Sequence, residues 1–204
     1  MKLIDLSHTI SEDTPTYPTD PKVKFSKEKD IKTDNTLLHS FKMGTHTGTH
    51  LDVPAHVIPG RKTIGDFKLN SFAGSAIKID DASLSQLKSF DGIIDGMIYD
   101  SGWYNNFNHP KIFFGNERPL IPNEIIEIAL KLKIKFFGCD LPSVDSSGKK
   151  EKPIHNALLG NDIIIYECLT NLNQLPCFES FTFFGLPLPF EALDGSPVRA
   201  VALL

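Results

Sequence analysis

At 204 residues, with 41% apolar and 10% aromatic content, the chain can build a sizeable core and fits a single α/β domain spanning 1–204. A net charge of −4 and a pI near 6.0 exclude the clustered Lys and Arg surface that a nucleic-acid binder needs, and the Lys-rich stretches are interleaved with acids or loop residues. The opening Met1-Lys2-Leu3-Ile4-Asp5 holds no signal-peptide core and no apolar run reaches spanning length, so no membrane partner is expected and a cytoplasmic protein is the default expectation.

Taken in chain order, period-two apolar patterns predict strands over 2–6 and 37–43, with the Lys-rich stretch 22–32 between them read as solvated loop or edge surface. Strands follow over 76–79, 96–99 and 111–114, with a helix over 82–89. The clearest helix runs over 122–133, where Pro122 suits a first helical position, Glu124 and Glu127 lie in the early turns, and Lys131 and Lys133 in the last. Beyond it come a strand over 134–138, a short helix over 153–159, and strands over 163–167, 181–184 and 198–203. Lys149-Lys150-Glu151-Lys152, among Ser, Gly and Pro, reads as solvated surface.

The passage 111–138 looks like a crossover between parallel strands and the remainder like a meander, which together predict a mixed, layered α/β domain with few helices. Fourteen Gly and fourteen Pro are spread along the chain rather than gathered into a tether. The pairs Phe113-Phe114, Phe136-Phe137 and Phe183-Phe184 are expected to cover both faces of sheet strands, and the aromatic surplus makes a homo-oligomer plausible. Cys139, Cys168 and Cys177 form no C-x-x-C pair, so they read as buried small hydrophobes.

The chemistry is concentrated in His46-Thr47-Gly48-Thr49-His50-Leu51-Asp52-Val53-Pro54-Ala55-His56, which gathers three of the chain's seven histidines and one carboxylate. A fully extended 46–52 would separate its ends by about 20 Å at roughly 3.3 Å per residue, too far for one ion, so the segment must bend. A helical turn would put His46 and His50 on one face, whereas Gly48 offers a tight backbone turn instead; the residues leave both open. Either way His46, His50 and Asp52 can converge, and imidazole with carboxylate suits zinc, manganese, iron or nickel rather than calcium. Pro54 redirects the chain so that His56 can face the same cavity without ligating, as a candidate acid/base. His8, His39 and His109 read as structural, and Trp103 as core or interface.

The pattern H-x-G-T-H-x-D-x-P-x-H resembles the signature of the cyclase family, which includes kynurenine formamidase and isatin hydrolase. The likeness extends to Asp5-Leu6-Ser7-His8 with Thr14 to Pro18, to Gly138-Cys139-Asp140-Leu141-Pro142-Ser143-Val144-Asp145, to His155, to Tyr166-Glu167-Cys168-Leu169, and to the closing Leu186-Pro187-Leu188 and Pro197-Val198-Arg199-Ala200. It implies a swivelling β/β/α fold and a metal-dependent amidohydrolase that opens an aryl formamide such as N-formylkynurenine. A cyclic amide such as isatin, or a ring-forming dehydration, are alternative reactions, and a non-catalytic metal-stabilised binding module is the alternative outside enzymology. The resemblance further implies two divalent ions per subunit, zinc or manganese. His46, His50 and Asp52 would hold the first, and Asp52 and Glu167 would bridge to a second held also by His155. His56 would be the proton carrier and Tyr17 would stand against an aromatic substrate where the kynurenine enzymes typically place Trp. The partners implied are a small aryl amide and a second copy of the chain, as dimer or tetramer. The chain departs from the family at Tyr17, at Leu141 and at Asn156, where Trp, Thr and a second histidine are common.

Overall fold

The computed structural model describes residues 1–146 and 151–204, so Lys149 and Lys150, read as solvated surface, lie outside the described residues. In chain order the strands are β1 (Leu3–Asp5), β2 (Lys24–Lys29), β3 (Leu38–Lys42), β4 (His50–Asp52), β5 (Ala73–Ile79), β6 (Gly96–Tyr99), β7 (Phe136–Cys139), β8 (Ile164–Glu167), β9 (Ser180–Phe184), β10 (Gly195–Pro197) and β11 (Val201–Leu203). The α-helices are α1 (Ile31–Asp34), α2 (Leu84–Lys88), α3 (Pro110–Phe113), α4 (Asn123–Leu132) and α5 (Pro153–Gly160).

Among the described residues one mixed sheet carries the order β1-β11-β9-β5-β6-β7-β8-β4-β10, and β2 and β3 form a separate ribbon. Its centre, β5 to β8, is parallel, and α2, α4 and α5 lie on the three successive crossovers. Antiparallel strands flank that centre on both sides, with β9, β11 and β1 beyond β5 and with β4 and β10 beyond β8. A further antiparallel bridge joins Ser7 to Leu169, so the chain leaving β1 meets the chain leaving β8 and the sheet curls into a half-barrel.

Two apolar cores follow from the alternation of side chains along the strands. Phe136, Ile164, Tyr166 and Phe183 point into the curl, while Phe137, Ile163 and Ile165 face Ile125, Ile126 and Ala129 of α4 and Leu158 and Leu159 of α5. Phe136 and Phe137 thus cover opposite faces, as the sequence suggests. Each such side chain contributes about 1.5–3 kcal/mol by leaving water.

Several boundaries differ from the sequence expectation for local reasons. Residues 111–114 are not a strand: Pro110 occupies the first turn of α3, and Phe113 is buried against Phe107 and Cys168, so that short apolar run serves one helical face. The first crossover strand for α4 is therefore β6. Pro122 stands one residue outside α4 as its N-cap, and Lys133 ends that helix in the left-handed region at φ 53°. The closing strand expected over 198–203 is confined to β11, and β4 and β10, at three residues each, are too short to leave a periodic signal. The ribbon β2–β3 is exposed at every position except the half-buried Ser26, consistent with an edge reading of its lysines. Cys139 and Cys168 are buried, but Cys177 is exposed in the loop before β9.

Candidate metal centre and active site

β4 supplies the foundation. Its alternation sends Leu51 into the curl and turns His50 and Asp52 to the opposite face, where His50 pairs directly with Glu167 of β8. The bend before it is a turn, not a helix: Gly48 adopts φ +61°, a conformation natural to glycine, and its carbonyl accepts from His50 Nδ1 at 2.8 Å. That settles the two geometries left open above, and it leaves His50 Nε2 facing Asp52 Oδ1 at 3.4 Å and Glu167 Oε2 at 3.6 Å.

The distant contributors arrive from the other side. α5 carries His155, whose Nδ1 lies 2.6 Å from Asp145 Oδ2 and whose Nε2 lies 3.4 Å from Asp52 Oδ2 and 3.5 Å from Glu167 Oε1. Asp145 also accepts the backbone N–H groups of Ile154 and His155 at 2.9 and 3.1 Å, so one carboxylate both satisfies the free N–H groups at the start of α5 and orients its histidine. Glu167 is fixed in turn by the Val144 N–H at 2.7 Å. His46 reaches Asp52 Oδ1 through Nδ1 at 2.7 Å and Asp194 Oδ2 through Nε2 at 2.8 Å. His56, on the 3₁₀ turn Pro54–His56, brings Nδ1 to 3.4 Å from the same Asp194 oxygen, and its ring centroid stands 4.1 Å from that of His46.

The charges are strongly coupled. Burial favours neutral His46, yet Asp52 and Asp194 outweigh it and raise its pKa to about 10. His155 follows the same pattern: burial opposes, and Asp145, Asp52 and Glu167 lift it to about 9. Burial pushes Asp52 up, but His46, His155 and His50 hold it well below the usual carboxylate range.

The arrangement fits a divalent cation on the chemistry of its donors. Asp52 Oδ2 is wholly buried with no hydrogen-bond partner among the described residues, an arrangement that burial alone makes costly. Two ligands each 2.0–2.1 Å from a tetrahedral ion would stand roughly 3.3 Å apart, near the spacings of His50 and His155 from the carboxylates. His46, Asp52 and His56 form one group with ligand atoms within 4.8 Å of one another, and His50, Asp52 and Glu167 another.

A cleft of about 250 Å³ opens onto this constellation. His46, His50, His56, His155 and Glu167 line its base; Tyr17 and Phe114, edge-on with ring centroids 5.5 Å apart, form part of its wall. Each site residue singled out in the sequence thus lies in or beneath one cleft. Asp145 and Asp194 were missed as partners of the histidines: Asp145 stands ten residues before His155 with no motif spacing to link them, and Asp194-Gly195 reads as an ordinary turn dipeptide. His8, stacked on Phe107 at 3.6 Å, His39 on the exposed ribbon, and His109 beside α3 stand apart from the cleft, and Trp103 donates to the Phe113 carbonyl.

Comparison with known proteins agrees with this picture. The Cyclase family model, described as "Putative cyclase", matches residues 4–146. Kynurenine formamidase of Geobacillus thermodenitrificans (strain NG80-2) is 31% identical over 205 residues, covering 97% of this chain and 95% of the relative. That of Salinibacter ruber (strain DSM 13855 / M31) is 31% identical over 212 residues, with 98% and 97% covered. An isatin hydrolase bound to the product analogue thioisatinate superposes with a TM-score of 0.86 at 23% identity over 100% of this chain and 92% of that one, a likeness of fold.

Proposed function

The chain belongs to the cyclase family, and from that premise we infer that it is a metal-dependent amidohydrolase whose substrate is an aryl formamide, most concretely N-formylkynurenine cleaved to kynurenine and formate. The observation that carries this reading is the convergence of His46, His50, His155 and Glu167 on the buried carboxylate of Asp52, whose Oδ2 has no hydrogen-bond partner among the described residues, at the base of an aromatic-walled cleft. His46, His50 and Asp52 would hold one ion, and Asp52, Glu167 and His155 a second, with zinc or manganese as the candidates that suit these donors. When bound, such ions supply Lewis acidity, which acidifies water and offsets negative charge gathering on a carbonyl oxygen.

The chain's own groups do the rest. His56, half-buried and lining the cleft, takes a proton from water as the new C–O bond forms and then delivers it to the amine nitrogen, so that the C–N bond breaks and the neutral amine departs. Tyr17 and Phe114 hold the aryl ring by edge contacts and exclude water from one side of it.

Among the described residues no helix is long and apolar enough to cross a membrane, and a cytoplasmic location accords with the small-molecule substrate. The exposed Phe25, Leu38 and Phe41 of the β2–β3 ribbon support assembly of the chain as a homo-oligomer, because an isolated two-stranded ribbon is marginal in water. Light scattering across a dilution series tests that assembly, and a monomer at all concentrations rejects it.

The test of the activity is metal-stripped protein assayed against N-formylkynurenine, other aryl formamides and isatin, before and after zinc or manganese is restored. Metal-dependent release of formate is expected. Turnover of isatin alone would move the substrate to a cyclic amide, and failure across the whole panel would overturn the reading.

A further inference from the structure

Each buried imidazole of the site has a fixed partner on the side away from Asp52: His50 has the Gly48 carbonyl and His155 has Asp145. Asp194 is different, because a single oxygen, Oδ2, faces two histidines, 2.8 Å from His46 Nε2 and 3.4 Å from His56 Nδ1. The carboxylate is also held from behind. Its other oxygen accepts from Thr45 Oγ1 at 3.1 Å, and its backbone carbonyl accepts from the Val53 N–H at 3.1 Å, tying it to the chain just past β4.

The neighbouring residue makes this approach possible. A Cβ at Gly195 would lie 2.7 Å from His46 Cε1 and 2.7 Å from the Leu51 carbonyl, so only glycine lets β10 come close enough to bring Asp194 against one nitrogen of each ring. A hydrogen bond to one nitrogen of an imidazole fixes which nitrogen carries the proton and leaves the other as lone pair. His46 faces a carboxylate oxygen at each nitrogen, Asp194 at Nε2 and Asp52 at Nδ1, so both carry protons here, and Asp194 holds the Nε2–H so that Nδ1 is the nitrogen whose proton an ion would replace; with Asp194 on its Nδ1, His56 has Nε2 left for the cleft that it lines.

We propose that Asp194 is a positioning residue that sets the tautomer and ring orientation of His46 and His56 together, linking the way the first ion is held to the way the proton is carried. The proposal rests on the reading of the site as a metal-dependent amidohydrolase, although two of its three tests do not. Outer partners of this kind govern metal affinity or activity by about 10–100-fold in other sites.

The experiment compares wild-type, Asp194→Ala and Asp194→Asn chains, loaded with zinc. Three quantities are read: the protonated nitrogen of His56 by ¹⁵N side-chain NMR, zinc affinity by competition with a chelator, and kcat and KM on the best substrate of the panel. In the wild type His56 should carry its proton on Nδ1. Asp194→Ala should give a mixture of tautomers, weaken zinc and lower kcat, each of the latter by about 10–100-fold, with KM little changed. Asp194→Asn keeps an acceptor oxygen in the same space and should recover most of the zinc affinity and the Nδ1–H tautomer; Asp194→Ser, whose hydroxyl is too short to reach both rings, takes the place of the Ala variant if that one does not fold, with the same expected losses. An unchanged His56 tautomer together with unchanged zinc affinity in both variants would overturn the proposal. A wild-type protein that hydrolyses nothing in the panel would instead remove the amidohydrolase reading, and the NMR and zinc measurements would still decide the role of Asp194.

Discussion

Of the histidine–aspartate pairs gathered at the cleft, two are built in opposite ways. His155 and Asp145 are 2.6 Å apart with side chains 2% and 2% exposed, whereas His56 and Asp194 are 3.4 Å apart with side chains 26% and 39% exposed. The first is locked on all sides, since Asp145 also receives two backbone N–H groups from α5. The second has room and water. A buried, multiply bonded pair suits a group that must hold its position, and a looser, wetter pair suits one that must take up and release a proton.

The sharpest way to break that contrast is to remove Asp145. Its loss leaves His155 buried without the partner at Nδ1 and strips the start of α5 of its acceptor, and breaking a buried pair in this way costs about 3–5 kcal/mol. Asp145→Ala should therefore lower the denaturation midpoint sharply and lose bound metal along with turnover. Retention of full metal stoichiometry and stability would show that the buried pair is not a holder.

The exposed pair should behave in the opposite way. Replacing His56 by Ala removes no buried contact of comparable depth, so metal content and melting temperature should stay near wild type while kcat falls by about 10²–10⁴-fold. Loss of metal in this variant would contradict the division of roles between the two pairs.

The same contrast marks how far the sequence could be read. The cluster from His46 to His56 was legible because its residues are close in the chain, and so was the need to bend it, but the choice of a turn at Gly48 over a helical turn came only with the structure. His155 and Glu167 came only through family resemblance: a histidine in the first turn of a short helix and a glutamate at a strand end carry no local signal, and their approach to Asp52 depends on the pairing of β4 with β8. Asp145 and Asp194 matter for their contacts across the fold, which spacing cannot reveal. For the fold, the long periodic helix and the central strands were visible, while three-residue β4 and β10 were not, and the apolar run at 111–114 was mistaken for a strand because short runs do not distinguish the two periods.

Acidity offers a milder test. In the metal-free protein His155 has a pKa of about 9 and His46 of about 10, both raised from 6.5. A raised histidine contributes stability that is complete below its unfolded pKa and has been lost once pH has climbed through its folded pKa, so stripped protein should weaken from about pH 7 upward, most steeply near about pH 8, and level off as pH passes about 9 to 10. Zinc requires the neutral imidazoles and displaces their protons, so its affinity should rise over the same interval. The gap in melting temperature between zinc-loaded and chelator-stripped protein should accordingly widen between about pH 6 and 9, and a constant gap would contradict the coupling of both histidines to Asp52.

The smallest effect is expected at the cleft wall, away from both pairs. Tyr17 meets Phe114 edge-on at 78° and no titration or hydrogen bond of the catalytic groups runs through it. An aromatic contact of this kind is worth about 0.5–1.5 kcal/mol, so Tyr17→Ala should raise KM for an aryl substrate by roughly two- to tenfold and leave kcat in place. Tyr17→Trp should hold KM near wild type because the ring face is kept, and Tyr17→Phe isolates any part played by the hydroxyl. A fall in kcat in the Phe variant, with KM unchanged, would move Tyr17 from the wall into the chemistry and would mean that proton handling is not confined to the exposed pair.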